Sequence, residues 1–203
     1  MPQHPDYANV ILDETGVARP MWAVTNPLLQ EYFDTEWGRP VYDEQGLFER
    51  LSLEGFQAGL SWLTILKKRP AFREAFANFA PEVVAGYTQA DVDVLMANPA
   101  IVRNRQKVHA VINNAQAVIE LRDDGGLSEL IWSYRSAHEP ILDAAGNPPS
   151  QSPESVALAK DLKKRGFRFV GPTTIFAMFE AIGVVNTFPF RNAHDLSKSP
   201  EAD

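Results

Sequence analysis

Six apolar residues between positions 103 and 122 constrain the fold of this chain more than any other feature. Val108, Val111, Ile112, Ala115, Val118 and Ile119 recur at steps of three and four, the spacing that lines one face of an α-helix. A helix from about Arg103 to Arg122 is expected, and its stripe needs apolar cover. Just upstream, Thr88 can cap a helix over Gln89–Ala97 with Asp91 at the third position, as in a capping box. Asn98-Pro99-Ala100 breaks that helix. Two amphipathic helices joined by a tight hairpin follow, with Arg103, Arg105 and Lys107 just beyond the turn.

The remaining pattern is also helical. From Asp43, an apolar stripe of Leu47, Phe48 and Leu51 continues through Phe56, Leu60, Leu63 and Leu66 to Lys67-Lys68-Arg69-Pro70. Pro70 is expected to end this helix, because the residue before a proline disfavours the α region. A short helix over 71–76 should follow. Another lies near Leu127–Tyr134, after Gly125-Gly126. A Pro-, Gly- and Asn-rich loop runs from Asp143 to Ser152. Ser152-Pro153-Glu154 then supplies a capping hydroxyl, a proline at the first helical position and an acid in the first turn. That helix stops at Lys163-Lys164-Arg165 with Gly166 as its left-handed cap. Phe167–Val170 is a short apolar link to a last helix, about Pro172 to Ile182, closed by Gly183. No alternating strand of useful length and no internal repeat is found. The expected fold is all-α, with an arm over 1–19, one compact domain over 20–192 and a tail over 193–203.

Composition narrows the chemistry. The 203 residues contain no cysteine, which excludes disulfides, thiolate metal sites, iron–sulfur clusters and a cysteine nucleophile. No apolar run approaches the ~18 residues of a membrane span, so no membrane partner is expected. The first 16 residues show no signal-peptide pattern, and a cytoplasmic monomer is the default expectation. The net charge of −7 argues against nucleic acid, but the local field matters more than the sum. Eleven of the 19 basic residues fall in three stretches: Lys67, Lys68, Arg69 and Arg73; Arg103, Arg105 and Lys107; Lys163, Lys164, Arg165 and Arg168. Each could be a solvated helix end; together they could form a phosphate-binding face.

Five segments carry a family resemblance. They are Glu36-Trp37-Gly38, the block Leu53-Glu54-Gly55-Phe56-Gln57-Ala58-Gly59-Leu60-Ser61-Trp62, Ile65-Leu66-Lys67-Lys68-Arg69, Ile101-Val102-Arg103-Asn104-Arg105-Gln106-Lys107, and Leu162-Lys163-Lys164-Arg165-Gly166-Phe167-Arg168-Phe169-Val170-Gly171. In these segments, and from about Trp22 to Phe188, the chain resembles the 3-methyladenine DNA glycosylase I family of helix-hairpin-helix DNA glycosylases. The resemblance implies flipping of a nucleotide out of alkylated double-stranded DNA, and hydrolysis of the N-glycosidic bond of 3-methyladenine. It implies no cofactor. The methylated base is a cation and departs as a neutral molecule, so no strong general acid is required.

Glu54 is the expected catalytic residue. A lone carboxylate in an apolar helical block is costly unless it has a purpose or a partner, and the resemblance makes it the acceptor for the adenine amino edge. On one continuous helix Glu54 and Ser61 would lie one above the other, with Trp62 about 80° round. By resemblance Tyr32 and Trp62 are aromatic walls around the cationic ring, Trp22 a further base-binding residue and Trp37 structural. Without the resemblance, Glu54 could equally cap a neighbouring helix and Trp62 fill the core. Gly59-Leu60 could supply the wedge that fills the gap left in the duplex, although Leu60 also sits at core spacing. DNA contacts are expected from Gly59, Leu60, Arg103, Arg105, Lys107, Lys163 and Lys164. Asp123 and Asp124 read as solvated acids at a helix end, and no lysine is placed to act as a lyase nucleophile.

The chain departs from the family in two respects. Relatives commonly clip their chain ends together with zinc held by two Cys and two His, and the matching positions here are Pro20, Phe33, Phe188 and Asn192. None ligates zinc strongly, and His4, His109, His138 and His194 are scattered. No metal is expected. Phe33 and Phe188 should pack together instead, an aromatic contact of ~1 kcal/mol beyond burial. One aromatic position near Tyr32 is also replaced, by Leu29. Two other classes remain open from sequence: a non-catalytic DNA-damage-binding descendant, and a helical interaction module that kept only the scaffold.

Overall fold

A computed structural model describes residues 3–4, 7–136, 138, 142–143 and 147–188. The Asn192 position, His194 and the tail over 193–203 lie outside the described residues, as do 144–146 of the expected loop. The chain begins with a small antiparallel sheet, β1 (Gln3–His4), β2 (Tyr7–Leu12) and β3 (Ala18–Pro20), in the order β1-β2-β3. The helices follow: α1 (Pro27–Thr35), α2 (Glu44–Gln57), α3 (Trp62–Ala75), α4 (Pro81–Val84), α5 (Gln89–Ala97), α6 (Arg105–Leu121), α7 (Gly126–Ser133), α8 (Pro153–Lys164) and α9 (Pro172–Ala181).

The locally capped elements stand where their caps place them. The Asp91 carboxylate accepts from the Thr88 N–H at 2.7 Å. Ser152 Oγ accepts from the Ser155 N–H at 3.2 Å, and Ser155 Oγ from the Ser152 N–H at 2.9 Å. α6 starts at Arg105 rather than Arg103, because Asn104 Oδ1 accepts from the Lys107 N–H at 3.1 Å. The expected hairpin of α5 and α6 forms. Lys68 Nζ donates to the Pro99 and Ala100 carbonyls of its turn at 3.1 and 2.9 Å.

Three expectations are corrected. The stripe from Asp43 to Leu66 belongs to two helices: α2 ends at Gln57, Gly59 takes φ +82°, and Ser61 caps α3 by accepting from the Thr64 N–H. Glu54, Ser61 and Trp62 therefore do not share one helical face. Second, Pro70 lies inside α3 and absorbs the expected short helix over 71–76. An internal proline costs about 3 kcal/mol; burial of Ile65, Leu66 and Phe72 on one face offsets it. Third, the arm is folded. Asp13 Oδ1 accepts from the Thr15 and Val17 N–H groups to close the turn between β2 and β3. Arg19 then bridges Asp13 at 2.7 Å and Asp34 of α1 at 2.8 Å, tying the sheet to the helical body.

The main core lies where α2, α6, α8 and α9 meet, with Phe48, Phe56, Phe72, Phe76, Phe79, Phe176 and Phe179 all fully buried. A second cluster holds Val10 of β2 together with Ala23, Phe33 and Phe188. Phe33 and Phe188 meet edge to face with centroids 5.3 Å apart. These rings offer no donor atom to zinc, so the residues present do not fit that group; the aromatic contact and the arm close this end of the domain. A third feature fixes the geometry around α9. Gly183 has φ +73°, and a Cβ there would stand 2.7 Å from the Gly38 carbonyl oxygen, so only glycine permits this approach.

Candidate active site

α1, α2, α3 and α9 converge on a cleft of about 280 Å³, lined by Trp22, Tyr32, Trp37, Glu54, Gln57, Trp62, Ala177 and Glu180. Its volume is at the small end for a small-molecule site. Each helix contributes through local spacing. Glu54 and Gln57 are three residues apart on α2, as are Ala177 and Glu180 on α9, so each pair shares a face. The walls are aromatic. Tyr32 and Trp62 lie 5.5 Å apart between centroids, tilted by 52°. Trp37 stacks on Phe33 at 5.3 Å and meets the edge of Trp22 at 5.9 Å. The indole N–H of Trp62 is buried without an acceptor among the described residues, a donor left for a ligand.

Glu54 is 5% exposed. Burial, reinforced by the nearby Glu180 carboxylate, pushes its carboxyl up to about 8. Glu180 is pushed up to about 7 by burial, opposed by a hydrogen bond donated by Thr187 Oγ1 at 2.6 Å. Burial, with the Glu54 charge adding to it, holds the Tyr32 phenol far above its usual range. Behind Tyr32 the charges are paired. Arg69 donates to Glu49 at 2.6 Å and to both oxygens of Glu36 at 2.7 and 2.9 Å. The Arg50 guanidinium is 3.5 Å from Glu36. Among the described residues two carboxylates therefore face the cleft, and no Lys, Arg or His lines it.

Sequence reasoning put Glu54, Tyr32, Trp62 and Trp22 at one site, and the structure brings all four to the cleft. Trp37, read as structural, both packs against Phe33 and lines it. Gln57, Ala177 and Glu180 were missed. Glu180 carried the same signal as Glu54, being the one charged residue in the run Pro172–Ala181. At the mouth of α3, Leu60 is 39% exposed on the turn between α2 and α3 and is no core leucine. Leu29, by contrast, is buried against Tyr32 and Leu66.

The cationic stretches divide. Lys107 was expected on the DNA face; it is 7% exposed, and its Nζ donates to the carbonyls of Phe56 at 2.8 Å and Ala58 at 2.6 Å. Its charge caps the C-terminus of α2, where the helix dipole favours a cation, so contrary to expectation it does not face DNA phosphates. Arg69 is committed to Glu49 and Glu36, and Arg165 to Asp124 and Asp161. Arg105 pairs with Asp93 at an exposed position. Arg103, Lys163 and Lys164 are exposed. Asp123 and Asp124 are exposed as expected.

Comparison with known proteins follows the same outline. The methyladenine glycosylase family profile matches residues 22–190. The chain is 42% identical over 169 residues to the DNA-3-methyladenine glycosylase of Haemophilus influenzae, covering 81% of this chain and 91% of that one. It is 41% identical to DNA-3-methyladenine glycosylase 1 of Escherichia coli, covering 81% and 90%. A solved 3-methyladenine DNA glycosylase I from Staphylococcus aureus, described for its recognition of 3-methyladenine, superposes with a TM-score of 0.75 at 40% identity, over 88% of this chain and 93% of that one. The match runs through every helix that bears on the cleft, and the chain belongs to the methyladenine glycosylase family.

Proposed function

We propose that the chain is a monofunctional DNA glycosylase that excises 3-methyladenine from alkylated double-stranded DNA. The observation that carries this reading is the cleft itself: a base-sized space with aromatic walls, a buried Glu54 and, among the described residues, no basic lining residue. Such a space is hostile to an anion and selective for a cationic ring. The printed names of the relatives in Haemophilus influenzae and Escherichia coli agree with it.

The chemistry then runs as follows. The damaged nucleotide leaves the stack at a cost of a few kcal/mol. Leu60, presented on its exposed turn with Gly59, enters the gap. The ring settles between Tyr32, Trp62 and Trp22, and Glu54 accepts from its amino edge. The C1′–N9 bond breaks with its electron pair passing to the ring, which neutralises the positive charge. Water adds to C1′ and loses a proton. Among the described residues no lysine lines the cleft, so none of them offers a nucleophile for a Schiff base with the sugar. Arg103, Arg105, Lys163 and Lys164 hold phosphates, and N–H groups at the start of α6 add to them. The functional unit on this reading is residues 20–192, with the arm packed onto it.

Incubation with methylated duplex DNA, followed by chromatography of released bases, tests the proposal. Free 3-methyladenine with abasic but uncut strands is the expected result. Strand scission by the protein alone, or release of no base, would contradict it.

A further inference from the structure

Glu180 belongs to two cavities. Beside the cleft it shares with Glu54 lies a second space of about 390 Å³, bounded by Asn9, Val10, Met21, Asn147, Thr187 and Phe188, with Trp22 and Trp37 common to both. Glu180 thus stands in the partition, its carboxylate held by Thr187 and its helix seated by the close approach of Gly183 to Gly38. Among the described residues no Lys, Arg or His lines either space. A structural acid inside a domain is ordinarily paired with a cation; this one instead faces another carboxylate. The geometry points to Glu180 as a specificity-determining residue that presents a second negative charge, from α9, to a positively charged alkylated base held against Glu54. This rests on the base-binding reading of the cleft.

The sign of the effect follows from the surroundings. Burial pushes the Glu54 carboxyl up to about 8 and the Glu180 carboxyl up to about 7. At pH 6 both are largely protonated, and a cation must displace protons to bind; at pH 9 both are ionised. Cation affinity should therefore climb with pH across this window, while a neutral base shows no such rise. Among the described residues no other facing group competes. Tyr32 on α1 stays neutral throughout, since burial raises its phenol. Arg50 and Arg69 lie behind it, paired with Glu36. The residues of β2 and of the segment after β3 that line the second space carry no charge.

The full chain should be titrated with 3,9-dimethyladeninium, a fixed cation, and with neutral 9-methyladenine, by tryptophan fluorescence and calorimetry from about pH 5.5 to about pH 9. Wild type is expected to prefer the cation increasingly as pH rises. Glu180→Gln should lose about tenfold or more in cation affinity at the alkaline end, as for a lost charged contact. Its affinity for 9-methyladenine should change by less than about threefold. Its pH midpoint should move down, because Glu54 no longer faces a second charge. Thr187→Val, which removes the hydrogen bond favouring ionised Glu180, should move the midpoint up. Unchanged cation affinity and midpoint in Glu180→Gln would overturn the inference, as would an equal loss for both ligands, which marks a structural role. If Glu180→Gln does not fold, an unmoved midpoint in Thr187→Val overturns it. Wild type that binds neither ligand would remove the base-binding reading as well; a cation preference that survives in Glu180→Gln removes only the role of Glu180.

Discussion

Replacing Glu54 by Gln should stabilise the protein, and by an amount that depends on pH. A carboxyl moved from an ordinary 4.5 to about 8 on folding is held in its protonated form by the native state. The penalty for ionising it is absent below pH 4.5, grows as pH rises through the interval, and is complete above about 8. The interval corresponds to about 5 kcal/mol between the acidic and alkaline limits. Local relaxation and water entry lower what is measured, so about 2–4 kcal/mol is expected. Glutamine carries no charge and escapes the penalty. Urea unfolding of both proteins between about pH 5 and pH 9 would show nearly equal stability at the acid end and a growing advantage for Glu54→Gln toward the alkaline end. Asp13, Glu49 and Asp91, which ionise more readily than usual, are common to both proteins, so they cancel in the difference. Parallel stability curves would refute the reasoning, since they would mean that Glu54 has a partner that compensates its burial.

Phe33→Ala or Phe188→Ala should cost about 3–5 kcal/mol and quicken proteolysis near residue 188; unchanged protease resistance would show that the aromatic contact does not close that end. Lys107→Met should cost about 2–3 kcal/mol by leaving the Phe56 and Ala58 carbonyls without their charged donor. It should leave the salt slope of duplex binding as it was. Arg103→Ala, by contrast, should flatten that slope by about one unit; equal slopes for these two variants would show that Arg103 makes no phosphate contact. Leu60→Ala should depress excision from duplex DNA while 3,9-dimethyladeninium binds as tightly as to wild type; weakened binding would place Leu60 in the pocket rather than in the gap.

Elements with local end signals were legible in the sequence. α5 and α8 could be read because their caps lie within three residues of the turns they close, Thr88 with Asp91 and Ser152 with Ser155. The hairpin into α6 showed in the Asn98-Pro99-Ala100 break, while the Asn104 cap on Lys107 did not, and the helix was expected to start two residues early. The break over 58–61 was obscured by an apolar spacing that runs across it; Gly59 and Ser61 were the signals, outweighed by Leu60, which proves to be exposed. Pro70 inside α3 is a tertiary outcome, since only the buried face of that helix offsets a proline. The sheet escaped because Val10, Ile11 and Leu12 are too few to show a period, and their pairing with Ala18–Pro20 depends on the Asp13 turn. In the site, Glu54 could be read as an acid in an apolar block. Glu180 had that signature without a family motif beside it. Lys107 had none, because a cation that faces carbonyls looks in sequence like one that faces water.

The most direct test of the account is single-turnover release of 3-methyladenine from methylated duplex DNA, comparing wild type with Glu54→Ala and Trp62→Ala. The account predicts release by wild type, and losses of about 100-fold or more in each folded variant, the scale expected for removing a group that holds the reacting base in place. Wild-type rates in both variants, or a folded wild type that binds methylated duplex yet releases nothing, would contradict it and leave a damage-binding protein in its stead.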